Sequence, residues 1–221
     1  MASPSLVTPG LDILESGDRL TRPEFERRYQ ALPHLKKAEL IEGVVYVASP
    51  VRVRSHSQPH SDIIGWLWVY RSSTPGTMVC DNTTVRLDGH NEPQPDARLR
   101  WETNQGGQSH ISEDDYIEGA PELIVEIVAS GASYDLHDKL QVYQRNGVQE
   151  YVVWLTQAQE LQWYRLIVGE YQQQEPDLSG ILRSSVFPGL WLAGTALLAG
   201  NMAEVLRVLQ EGLAARDKEQ G

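Results

Sequence analysis

A single acid, Glu126, lies inside an almost unbroken apolar run, Leu123-Ile124-Val125-Glu126-Ile127-Val128-Ala129. An ionised carboxylate in that company is costly unless it is paired or binds a metal. A second acid, Asp96, follows Pro95 earlier in the chain, and Lys139 comes shortly after the run. Two carboxylates from neighbouring strands, together with the main-chain carbonyl of Ile127, make an all-oxygen donor set. Such a set suits a hard divalent cation, Mg²⁺ or in its place Mn²⁺. Acid, acid and lysine together point to phosphodiester hydrolysis. The cation polarises the phosphate and lowers the pKa of its bound water. The lysine orients that water, helps to deprotonate it, or stabilises the developing charge. Glu39 and His60 are candidates for auxiliary groups beside the cation.

Plainer readings stand beside each of these. Asp96 could be a turn aspartate after proline. Lys139 could be a solvated lysine paired with Asp135 one helical turn earlier, and Asp135 could merely cap its helix. His56 and His60 have the i, i+4 spacing of a zinc pair, but no third ligand is evident and no glutamate follows His56. Ser130 and Ser133 lack the Gly-x-Ser-x-Gly setting of a nucleophile elbow.

The elements that must position these groups follow from periodicity. The run around Glu126 reads as a strand buried on both faces. A helix from Asp135 to Asn146 follows, with Leu136, Leu140 and Tyr143 as its buried stripe and Gly147 ending it. Tyr151 to Leu155 is a second buried strand, so the three form a βαβ crossover. Upstream, Thr21-Arg22-Pro23-Glu24 reads as a helix start, with Thr21 as N-cap and the helix running to about Leu32. Ala38 to Val47 reads as a hairpin turning at Glu42-Gly43. Ile63, Ile64, Trp66, Leu67 and Tyr70 recur at helical spacing. Strands are expected at Met78 to Leu87 with a kink near Asn82, and at Ala97 to Trp101, with a surface loop after Gly106. Antiparallel strands are expected at Leu161 to Ile167 and near Ser184 to Val186, then a helix from Asn201 to Glu211. The fold class is α+β (mixed α/β): a central mixed sheet flanked by helices, with extra antiparallel strands and a C-terminal helix. Residues 1–20 read as a peripheral segment, 21–192 as the main domain and 193–221 as a helical tail.

Pro95-Asp96, then Glu126-Ile127-Val128, resembles the PD-(D/E)XK motif of restriction-endonuclease-like nucleases. The run Pro121 to Ser130 with Asp135, Lys139, Tyr143, Gly147 and Glu150-Tyr151 resembles, more narrowly, the bacterial Uma-type family of that superfamily. The Ala38 to Tyr46 hairpin and His60 match it too, and the similarity spans about Thr21 to Leu192. The resemblance implies a restriction-endonuclease-like sheet and Mg²⁺ chemistry; DNA is the substrate expected. In the simpler motif the lysine sits two residues after the second acid, where this chain has Val128. The family pattern moves it to the following helix, onto Lys139. Side chains two apart on a strand share a face, so the lysine must reach back over Val128. Its Nζ is expected within ~4 Å of a carboxylate oxygen of Glu126 or Asp96, the ion-pair limit.

Composition bounds the rest. The 221 residues carry a net charge of −11, and most of the excess acid lies after residue 60. Nucleic-acid binders usually present a basic face; here any basic surface is expected in the first half, with Arg52, Arg54, Arg71, Arg98 and Arg100, before or beside the two acids, as candidates. An acidic site can still gain positive charge from its cation. A second reading, from another class, is therefore a catalytically silent binding or assembly protein that keeps the nuclease fold. The lone Cys80 permits no internal disulfide, which with the lack of a leader or membrane-length apolar run points to the cytoplasm. The six tryptophans are scattered and read as core and interface packing, and a homodimer is expected.

Overall fold

The computed structural model describes residues 13–48, 50–129 and 133–220. Residues 1–12 of the peripheral segment, Ser130, and the side chains of Ser133, Asp135 and Leu136 lie outside the described residues. The chain opens with α1 (Arg22–Gln30) and the hairpin β1 (Ala38–Ile41) and β2 (Val44–Val47), and a π-helical turn at Val53–Ser57 leads into α2 (Gln58–Ser72). Then come β3 (Thr77–Asp81), β4 (Val85–Arg86), β5 (Ala97–Trp101), β6 (His110–Ile111), β7 (Ile117–Glu118), β8 (Leu123–Val128), α3 (Ser133–Asn146) and β9 (Glu150–Leu155). The last third holds β10 (Glu160–Ile167), β11 (Glu170–Gln173), β12 (Ile181–Arg183), β13 (Trp191–Ala193), α4 (Gly194–Leu198) and α5 (Met202–Gln220).

The central sheet has the order β11-β10-β9-β8-β5-β3. Only β8 and β9 are parallel, joined through α3; the other pairs are antiparallel. The mixed α+β architecture expected from the sequence is the one observed. Alternation along β8 sorts its side chains. Leu123, Val125 and Ile127 join the core under α2 and α5, whereas Ile124 joins the core under α3. Glu126, between Val125 and Ile127, therefore faces α3.

α2 buries Ile63, Trp66, Leu67 and Tyr70, a stripe at i, i+3, i+4 and i+7. The ring of Trp66 meets Trp163 edge-on, and its indole N–H donates to the Trp191 carbonyl. α5 completes this side with Val205, Leu209 and Leu213.

Several expectations are corrected. Thr21 makes no side-chain cap bond; Glu24 instead pairs with Arg27 and Arg28 within α1. The kink expected near Asn82 is present, with φ 46°, but it ends the strand: β4 leaves the main sheet to pair with β7. The strand expected at Ser184 to Val186 lies earlier, at β12. Ser184 and Ser185 instead donate to the buried Glu150 carboxylate. α5 runs well past Glu211, through Gly212. A Cβ on Gly212 would lie 2.4 Å from the Gly189 carbonyl oxygen, so this glycine allows close packing rather than ending the helix.

Candidate active site

The register Ala97↔Val125 between β5 and β8 brings the residue before β5 alongside Glu126. That residue is Asp96, and its Oδ2 accepts the Ile127 backbone N–H at 2.8 Å. Both acids are almost fully buried, Asp96 at 2% exposure and Glu126 at 5%. Val128 accepts from Thr156 N on the β9 side. Successive strand residues bond to opposite sides, and N–H and C=O of one residue share a side. The Ile127 carbonyl therefore points with its N–H toward the Asp96 edge.

Lys139 comes from α3 and reaches back over the sheet. Its Nζ lies 2.9 Å from Glu126 Oε1, inside the limit expected, and 2.9 Å from Glu39 Oε2. Tyr143, one turn further along α3, donates its hydroxyl to the same Glu126 Oε1 at 2.8 Å. Glu39 enters because β1 alternates. Ala38 and Leu40 face the small core around Phe25, while Ile41 faces the α3 side, and Glu39 shares that face. Its Oε1 accepts the Gln94 backbone N–H at 2.7 Å. The two-way backbone bridge between Leu40 and Glu92 holds β1 against the segment leading to Asp96.

His60 does not touch either site carboxylate. Its Nε2 lies 2.8 Å from the Asp96 carbonyl oxygen and 3.0 Å from Asp81 Oδ1. Both neighbours are acceptors, so Nε2 carries the proton. His60 thus fixes the backbone at Asp96. The carboxylate itself is met by two groups the sequence reading did not place there. Lys37 Nζ lies 3.3 Å from Oδ1, and His56 Nε2 lies 3.3 Å from Oδ2. Lys37 carried a signal: it stands two residues before Glu39, and strand periodicity puts both on one face. The i, i+4 spacing of His56 and His60 was visible too, and it serves to grip Asp96 from two directions.

Charge in the site follows from these neighbours. Burial alone would raise the pKa of Asp96. The hydrogen bond from His56, the Lys37 charge and the Ile127 N–H outweigh it and hold the carboxyl well below the usual carboxylate range. Burial pushes Glu126 up; Lys139 opposes this, and the negative charges of Asp96 and Glu39 add to it. Burial would also discharge Lys139, but Glu126 and Glu39 reverse that and keep it protonated above its ordinary range. Tyr143 is raised well above its ordinary value, first by burial, so it remains a donor.

The donors fit a hard cation. Asp96, Glu126 and the Ile127 carbonyl offer oxygen only, and they meet at the carboxyl end of parallel β8, beside its antiparallel neighbour β5. Among the described residues no group of three or more His, Cys, Asp or Glu is placed to hold a metal ion. Next to the site a cavity of about 60 Å³, lined by Glu39, Ile41, Tyr46, Asp138 and Lys139, has room for water.

The expected basic surface is reduced. Arg98 and Arg100 are buried on β5, Arg98 donating to the Thr83 carbonyl and Arg100 to Ser109. A strand covered on both faces turns its arginines into internal donors. Arg71 stacks on the exposed Trp68 ring at 4.8 Å.

Compared with known proteins, residues 22–195 match the Uma2 family, described as "Putative restriction endonuclease". The chain belongs to that family. The Uma2 match takes in every site residue above, from Lys37 to Tyr143. The fold also resembles a crystal structure of a "putative nuclease belonging to DUF820" from Anabaena variabilis. The TM-score is 0.60 at 17% identity, covering 78% of this chain and 97% of that one. No curated protein matches.

Proposed function

We propose that this Uma2-family chain is a metal-dependent endonuclease that hydrolyses phosphodiester bonds of DNA, with Asp96, Glu126 and Lys139 at its centre. One observation carries the reading: Lys139, from α3, sits between the carboxylates of Glu126 and Glu39, next to an Asp96 oriented by the Ile127 N–H. A plain surface lysine would not be drawn into the protein to face two acids.

Mg²⁺, or Mn²⁺, held by Asp96, Glu126 and the Ile127 carbonyl would polarise the phosphate and make a bound water acidic enough to attack. The protein's own groups do the rest. Lys139, kept charged by Glu126 and Glu39, orients water and stabilises negative charge on phosphate oxygens; it is no free base. Tyr143 fixes the rotamer of Glu126, Glu39 fixes Lys139, and His60 with His56 fixes Asp96. Holding donors in place before substrate arrives is what such a site contributes most.

The cytoplasm as location and a homodimer that cuts both strands belong to the same proposal. No helix among the described residues is long and apolar enough to cross a membrane. Sedimentation showing only monomer at micromolar concentration would count against the dimer.

A catalytically silent assembly protein is the second reading, favoured by the net charge of −11 and by the burial of Arg98 and Arg100. The two separate in a cleavage assay on supercoiled and linear DNA with Mg²⁺ or Mn²⁺. The nuclease reading expects cleavage by the wild type and none by Asp96→Ala or Glu126→Ala. Undiminished cleavage by either variant would remove the assignment, and an inert wild type would favour the silent protein.

A further inference from the structure

An acidic chain that acts on DNA must still offer the phosphate backbone a path of positive charge. Most cations near the site are already committed. Lys139 is shared by two carboxylates, and Arg98 and Arg100 are internal. In α1, Arg22 pairs with Glu26, and Arg28 with Glu24. Lys37 differs. It faces one carboxylate, Asp96, at 3.3 Å, and a neutral amide, Asn82 Oδ1, at 3.4 Å. Its side chain keeps 25% of its exposure, against 12% for Lys139.

Arg52 and Arg54 are also exposed, and among the described residues neither pairs with a carboxylate. Arg52 precedes and Arg54 lies within the π-helical turn Val53–Ser57, whose His56 contacts Asp96. The same turn is anchored over the ends of β8 and β9, where Thr156 Oγ1 donates to the Ser55 carbonyl at 2.7 Å. Val51 and Val53, 63% and 71% exposed, lie in this segment too, so among the described residues nothing covers it. Lys37 thus meets Asp96 directly, and Arg52 and Arg54 stand close in the chain to His56, which meets it from a second segment.

We propose that Lys37, with Arg52 and Arg54, forms the cationic track that takes the DNA phosphate backbone into the site, Lys37 contacting the phosphate nearest Asp96. This rests on the nuclease reading and deepens it. A cation entering at Asp96 displaces Lys37 from Oδ1, and a long, partly exposed side chain can then swing its ammonium to a phosphate oxygen. Lys37 and the divalent cation thus compete for Asp96 in the free protein and act together once DNA is bound.

The test compares wild type, Lys37→Met, Lys37→Arg and the Arg52→Ala/Arg54→Ala double variant. Mn²⁺ binding is read by calorimetry. Binding of a short fluorescein-labelled DNA duplex is read by anisotropy over a salt series, with Ca²⁺ as the divalent cation. Lys37→Met should weaken duplex binding and make the slope of log K against log salt shallower by about 0.9, the share of one phosphate contact. Its Mn²⁺ affinity should hold or rise, because a competitor has gone. Lys37→Arg should retain the wild-type slope, and the double variant should lose about twice as much slope with Mn²⁺ binding intact. If Lys37→Met loses Mn²⁺ and DNA affinity together, Lys37 only supports Asp96 and the proposal is overturned. Unchanged slopes in both the Lys37→Met and arginine variants overturn it as well. Should Lys37→Met not fold, Lys37→Gln replaces it under the same criteria. A wild type that binds duplex but no Mn²⁺ would instead fail the metal-site reading, leaving the track to be judged on the slopes alone.

Discussion

Lys139 shows how a residue of ordinary type acquires a special task from two distances. At 2.9 Å from Glu126 and 2.9 Å from Glu39 it is the counter-charge for both. Removing one partner of a buried ion pair leaves the other charge uncompensated, a loss of about 3–5 kcal/mol. Lys139→Met should therefore lower stability by that order in urea denaturation and abolish cleavage as well. Tyr143→Phe separates the two effects. It removes one hydrogen bond to Glu126 Oε1 and nothing else of the ring, a loss of about 1.5–3 kcal/mol for a bond to a charged group. The expected result is a folded protein with reduced cleavage; unchanged stability and activity would mean that Tyr143 does not hold Glu126. Glu126 itself was legible in the sequence, because one acid inside an apolar strand demands a reason. Lys37 and His56 carried only local spacing signals; their partner, Asp96, is far from both along the chain, and only the fold brings them together.

At the scale of elements, the site depends on the joint between α1, the β1–β2 hairpin and the segment before β5. Glu92 sits in that joint, bridged to Leu40 through the backbone and buried beside Glu26 and Arg86. Burial first, then the hydrogen bond and charge of Glu26, raise its pKa to about 8. In an unfolded chain a glutamate titrates near ~4.3. Between those values the folded state binds more protons than the unfolded one, so stability falls as pH rises. The contribution of Glu92 is full below the unfolded value and gone once pH has risen through about 8. Glu92→Gln should flatten the stability profile between pH ~5 and ~8, measured by urea unfolding at a series of pH values. A slope identical to wild type would show that Glu92 is already charged in the fold. The βαβ unit from Leu123 to Leu155 was readable because its two apolar strands and striped helix each follow one period. β12 and the full length of α5 were not. Ser184 and Ser185 look like strand residues until Glu150 is seen to need their donors, and Gly212 looks like a helix end until Gly189 is seen against it.

At the scale of the whole molecule, a six-stranded sheet carries its two acids at one strand end, a helix places the lysine above them, and a hairpin closes the side. The net charge of −11 sets this molecule apart from proteins that grip DNA by a broad basic face. A site made of acids can only attract phosphate if a cation first changes its sign. The proposed activity therefore turns on divalent-cation binding, which calorimetric titration of Mg²⁺ and Mn²⁺ into wild type and Glu126→Gln reads directly. Binding to the wild type should be saturable, and lost or weakened about 10-fold or more in the variant, which removes one oxygen donor. Binding of equal affinity in both proteins, or none in the wild type, would contradict the proposed activity.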